Sequence, residues 1–219
     1  YNTPRAWFMA KYLGDDSHKP TDDDIPWSIV PKHLIGLEDV KYLLSSHYQG
    51  TPYDSFGKDQ RAGIYRPIGI NRTSVLTVHQ NKSGEPQVEW IAFGANPYNA
   101  LVPVFTEVSA LPDYYTNTTL SPSTEAFYWA NRLIAPYADA NHASTAPFIE
   151  RYQERMMIEG RQAILAAIKK FKSRKDPKIL EIANEKMADI AKTLTTNLLE
   201  KVLYIASCAM KCGYNRSDN

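Results

Sequence analysis

Two thiols, five imidazoles and one run of three carboxylates are the side chains here best suited to covalent, acid–base or metal chemistry. Cys208 and Cys212 stand four apart in an apolar helical pattern, which places them on one helix face and not in a Cys-x-x-Cys redox motif. So late in a helix, neither has the electropositive setting of an activated thiolate, and both read as small apolar side chains packed near a helix end. His18, His33, His47, His79 and His142 include no i, i+4 pair and no His-Glu-x-x-His pattern, so a metal site is not expected. Asp22, Asp23 and Asp24 read as a solvated loop, because a cation site needs further ligands converging from elsewhere. The scattered glycines form neither a P-loop nor a dinucleotide fingerprint. There is no Gly-x-Ser-x-Gly elbow, while a Ser/His/Asp triad built from distant positions stays open.

Composition narrows the class further. Of 219 residues, 43% are hydrophobic and 22% charged, ordinary values for a globular chain. The 25 basic and 24 acidic side chains leave a net charge of +1, so no electrostatic footprint favours nucleic acid or an anionic membrane. No apolar run approaches the roughly 20 residues that span a bilayer, and no signal-peptide pattern opens the chain. Two thiols do not make a disulfide framework and fit a reducing, cytoplasmic setting.

The elements that must position any site follow from periodicity. Residues 4–13 have helical spacing, with Thr3 as a candidate cap and Pro4 at a tolerated first-turn position. Residues 14–36, rich in Asp, Pro and Gly, read as a long loop. A short helix is expected over 37–46, with Leu37, Val40, Leu43 and Leu44 on one face. Residues 73–80 and 87–94 read as an antiparallel hairpin, and 100–106 as a third strand that Pro103 confines to an edge or bulge. Helices are then expected over 125–138, from a cap at Ser144 or Thr145, and after Asp176-Pro177, the last ending at Gly213. The expected stripe of that last helix is Ile179, Ile182, Ala183, Met187, Ile190, Ala191, Leu194, Leu198 and Val202. This is an α+β pattern with segregated elements, in which three strands are few for a freestanding sheet.

Several stretches resemble a known family. YNTPRAWFMAKYL (1–13), DDDIPW (22–27), LEDVKYLLSSHYQGTPYD (37–54), RPIGINRTSVLTVHQ (66–80), EWIAFGANPYNALVPVF (89–105) and STEAFYWANRLIA (123–135) are similar to the dipeptidases of peptidase family C69. The resemblance implies an N-terminal-nucleophile hydrolase related to penicillin V acylases and choloylglycine hydrolases. The implied fold is a four-layer αββα sandwich, of which this chain is the second half, with a long C-terminal helical region. The implied organisation is 1–140 in that α+β domain and 141–219 as helices packing on it.

The implied chemistry uses a Cys as first residue of the mature chain, with its own α-amino group as base and no metal or organic cofactor. Residue 1 is Tyr, and the cysteines lie at 208 and 212. The expectation is therefore a C-terminal part of a dipeptidase, a thiol protease inactive by itself. Its partners would be a dipeptide substrate, the N-terminal half of the same protein and further copies in a homo-oligomer. In the acylase relatives an Arg at a helix start lies beside the nucleophile, and the matching stretch points to Arg5 as the remaining catalytic group. His47, in SSHYQGTPYD, is the candidate substrate-binding residue. Arg66 and Arg72 are weaker candidates, read as structural. The alternatives are a non-catalytic interaction module of the same fold, or an amidase or acylase of the superfamily.

Overall fold

A computed structural model describes residues 2–211. It is α+β, with two compact units, residues 1–70 and 71–219. The last helix ends at Cys208 with Ala209 as its C-cap, before the Gly213 expected to end it, and Cys212 falls outside the described residues.

The first unit holds two helices and much loop. Helix α1 spans Thr3–Tyr12, with Pro4 in its first turn, where a missing N–H costs nothing. Thr3 is inside the helix and not its cap; Asn2 takes the cap position without a side-chain cap bond. Helix α2 spans Leu37–Ser45, and its Asp39 carboxylate accepts the Gly36 N–H at 2.7 Å, satisfying one orphan donor of the first turn. Residues 14–36 are loop, as their composition requires. The core of this unit is aromatic: Trp7, Phe8, Leu43 and Tyr48 are buried together, with Tyr53 and Tyr65 packed against them. Phe8 meets Tyr48 edge-on at 5.6 Å and Trp7 meets Tyr53 at 5.7 Å, the arrangement that ring quadrupoles favour.

The second unit carries the sheet. Strands β1 (Val75–Gln80), β2 (Val88–Phe93) and β3 (Val102–Phe105) form an antiparallel sheet in the order β1-β2-β3. The register pairs Val78 with Trp90, and Trp90 with Pro103. Pro103 therefore sits on an edge strand, where its missing donor is tolerated. That edge is covered. The side chain of Asn184 accepts the Phe105 N–H at 2.9 Å and donates to the Phe105 carbonyl at 3.0 Å, standing in for a neighbouring strand.

Four helices complete the unit: α3 (Asp113–Thr116), α4 (Phe127–Ala140), α5 (His142–Arg174) and α6 (Lys178–Cys208). Helix α3 has no signal in the periodicity. The caps expected at Ser144 and Thr145 lie inside α5, where the Thr145 hydroxyl donates to the Ala138 and Asn141 carbonyls. Asp176-Pro177 does open α6, with the Asp176 carboxylate accepting the Lys178 N–H at 3.0 Å. The buried stripe of α6 is Leu180, Asn184, Met187, Ala188, Ala191, Thr195, Leu198 and Val202. It is rotated from the expected one, leaving Ile182 exposed, because Asn184 is needed at the sheet edge and Thr195 pairs with the buried Tyr152 hydroxyl at 3.0 Å. Cys208 is exposed, which corrects the packed position expected for it. Among the described residues no helix is long and apolar enough to cross a membrane.

Candidate functional site

Arg5 lies in the first turn of α1, half-buried, and its surroundings come from two loops of the same unit. Its Nη1 donates to Asn2 Oδ1 at 3.3 Å, and its Nε makes a long contact of 3.5 Å to the Arg66 carbonyl. The same carbonyl accepts the Tyr48 hydroxyl at 2.8 Å. A carbonyl oxygen has two lone pairs, so both donors fit it. Tyr48 is fully buried, and burial pushes its phenol up to about 12, against the opposing pull of the nearby Arg5 guanidinium.

The loop that delivers Tyr48 is the SSHYQGTPYD stretch, residues 45–54. Several of its polar side chains bond within the loop. Ser46 Oγ donates to Gln49 Oε1 and accepts the Tyr48 N–H, each at 3.0 Å, while the His47 N–H donates to the same Gln49 oxygen. Thr51 donates its hydroxyl to the Tyr48 carbonyl at 2.7 Å. Tyr48 itself has φ +68°, a left-handed conformation that bulky residues rarely take. Local side-chain bonds of this kind hold a backbone in a shape that neither helix nor sheet offers.

His47 is placed by the same loop. Its Nδ1 lies 2.7 Å from Asp54 Oδ1, which also accepts the Phe56 N–H at 2.9 Å. Its ring stands edge-on to Phe56 at 5.0 Å.

A cleft of about 570 Å³ opens beside the first turn of α1. Its walls are Thr3 and Pro4, the loop from Pro20 to Asp23, and the segment from Ile64 to Arg66. Arg5 follows one wall in sequence and its partner Arg66 is in another; His47 is not part of the lining. Asp22 and Asp23 of the acidic run and Arg66 thus line a shared space large enough for a small peptide. Asp22 accepts the Lys19 N–H at 2.9 Å. Among the described residues no group of His, Cys, Asp and Glu side chains is arranged to hold a metal ion. Arg72, weighed in the sequence beside Arg66, is exposed. Sequence reasoning missed Tyr48, whose one signal is the unusual SSHYQGTPYD stretch, where the titratable His47 stands beside it.

Comparison with known proteins bears directly on this unit. Residues 1–155 match the family described as "Peptidase family C69". The chain belongs to peptidase family C69. Curated relatives align with the whole chain. It is similar to "Dipeptidase" from Bifidobacterium longum (strain NCC 2705), at 39% identity over 100% of the chain and 52% of that protein. "Probable dipeptidase A" from Streptococcus pyogenes serotype M18 is 40% identical over 100% of the chain and 48% of its own length. "Dipeptidase A" from Lactobacillus helveticus is 31% identical over the same shares. The chain thus spans about half the length of the curated relatives it matches. The C69 match takes in the whole Arg5–Tyr48–Arg66 cluster and the cleft, as well as the sheet and the start of α5.

Proposed function

We propose that this chain is the C-terminal part of a dipeptidase that hydrolyses the amide bond of dipeptides. The observation that carries this is the alignment of the entire chain with dipeptidases at 39–40% identity, within family C69. On this reading the chain contributes part of an αββα sandwich, and a Cys at the start of the other half is the nucleophile. The α-amino group of that Cys takes the thiol proton, and the thiolate adds to the carbonyl carbon of the dipeptide. The C–N bond breaks, the amine leaves with a proton, and water hydrolyses the resulting thioester, releasing the acid and restoring the thiol. Arg5 stands beside the nucleophile, where a permanently charged guanidinium favours thiolate and holds carboxylate or amide oxygens. His47 is the second candidate for contact with substrate. The chemistry calls for no metal or organic cofactor.

The test is a dipeptide hydrolysis assay on this chain alone and on a family-length protein that contains it. The expected result is no turnover by the chain alone, and turnover by the longer protein that thiol alkylation abolishes. Alkylation-sensitive hydrolysis by the chain alone would overturn its inactivity. No hydrolysis by the longer protein would overturn the dipeptidase assignment.

A further inference from the structure

We propose that Tyr48 is a positioning residue for Arg5, its hydroxyl fixing the Arg66 carbonyl against which the guanidinium is held. The inference rests on the reading above, in which Arg5 borders the reacting centre, and adds to it the residue through which Arg5 is set.

Three observations support it independently. The first is reach. Tyr48 Oη donates to the Arg66 carbonyl at 2.8 Å, and Arg5 Nε approaches that same oxygen at 3.5 Å. Of the two, the tyrosine's is a full hydrogen bond and the arginine's a long, weak contact, so Tyr48 holds this carbonyl the more firmly. The second is conformation. Tyr48 occupies the left-handed region at φ +68°, where glycine would serve the turn without steric cost. From this turn the phenol reaches the Arg66 carbonyl, so the strained residue is the one that makes the bond. The third is the clamp around it. The Ser46 carbonyl accepts the Ile68 and Gly69 N–H groups at 3.0 and 2.9 Å, and the Tyr48 ring lies edge-on to Tyr65 at 6.3 Å. Residues 46–48 therefore grip the 65–69 segment at several points, and that segment includes Tyr65 and Arg66 of the cleft wall. A guanidinium held in this way arrives at its ligand already oriented, which lowers the entropy cost of each hydrogen bond it makes.

A tyrosine that only fills the core would show none of the coupling that positioning requires. Tyr48→Phe keeps the ring packing and removes the hydroxyl. In the family-length protein we expect kcat to fall by about tenfold, the loss that one displaced charge-assisted hydrogen bond produces, with KM little changed. In an Arg5→Lys background the same substitution should have almost no further effect, because residues acting through one another are non-additive. Independently of activity, heteronuclear NMR of this chain should show the Arg5 Nε–H protected from solvent exchange relative to that of the exposed Arg72. Tyr48→Phe should remove that protection. Full additivity of the two substitutions, or an Arg5 Nε–H in the unaltered chain that exchanges as fast as that of Arg72, would overturn the proposal. The measurement on the unaltered chain decides it even where Tyr48→Phe does not fold. It also decides it where no dipeptide is hydrolysed, so failure of the dipeptidase reading and failure of the Tyr48 role are told apart.

Discussion

Lys41 is 7% exposed in the middle of α2, with its ammonium donating to Ser45 Oγ at 2.7 Å. Desolvation of the charged form brings its pKa down to about 7 from the ordinary lysine value. The unfolded chain therefore binds this proton over a range where the folded one has released it. Between about pH 7 and pH 10 the unfolded state holds more protons, so stability from this group rises with pH across that window and is flat below it. Lys41→Met removes the buried ammonium. Urea denaturation should find the variant more stable than the parent at pH 6–7, on the order of a few kcal/mol, with the gap closing toward pH 10. A gap that does not change with pH would mean that the lysine titrates normally. The buried lysine itself had no sequence signal: in LEDVKYLLS it reads as a solvated position between two apolar ones. The same holds for Tyr48, whose importance comes from the oxygen it reaches, 18 residues away.

At the scale of elements, the close approach of α5 to the sheet depends on Gly160. A Cβ at this position would lie 2.8 Å from Pro103 Cδ and 3.1 Å from Trp90 Cζ3. Both neighbours are fully packed, Trp90 at 1% exposure in the central strand. Gly160→Ala gains about 1 kcal/mol of helix propensity but meets an overpacking cost of about 1–3 kcal/mol against a rigid ring. Chemical denaturation should show a net loss of about 1 kcal/mol; a stabilised variant would mean that β3 yields. Periodicity foresaw α1, α2, the three strands and α4–α6 to within a few residues, since each repeats apolar side chains at its own spacing. It missed the phase of α6. Leu and Ile are equally apolar in a spacing pattern, and only the packed partners, the β3 edge for Asn184 and the Tyr152 hydroxyl for Thr195, explain why these two turn inward while Ile182 turns out.

At the scale of the whole chain, large apolar side chains remain in water on both units. Trp27, Val30 and Leu34 in the 14–36 loop are 103%, 92% and 97% exposed, and Leu165, Ile182 and Tyr204 stand out on α5 and α6. A net charge of +1 offers little repulsion between copies. We expect the chain to associate in solution, with a light-scattering mass that exceeds one chain and rises with concentration. The double variant Trp27→Ser, Leu34→Ser should lower that mass. A strict monomer at high concentration would show that these side chains need no cover. The blocks that resemble C69 reach this scale as well: they made membership of the family legible, because a ten-residue stretch such as SSHYQGTPYD is long enough to be specific.

By itself the sequence determined the α+β class, the order of the elements and the family, because local periodicity and uninterrupted motif blocks carry all three. It pointed to Arg5 and His47 by resemblance. Only the tertiary structure decided what surrounds them: His47 turned to Asp54, and Arg5 gathered with Tyr48 on one carbonyl beside a cleft walled by Asp22, Asp23 and Arg66. Those groups are separated by up to 61 residues. No spacing rule connects positions so far apart, since the turns that bring them together are held by side-chain-to-backbone bonds with no periodicity to read.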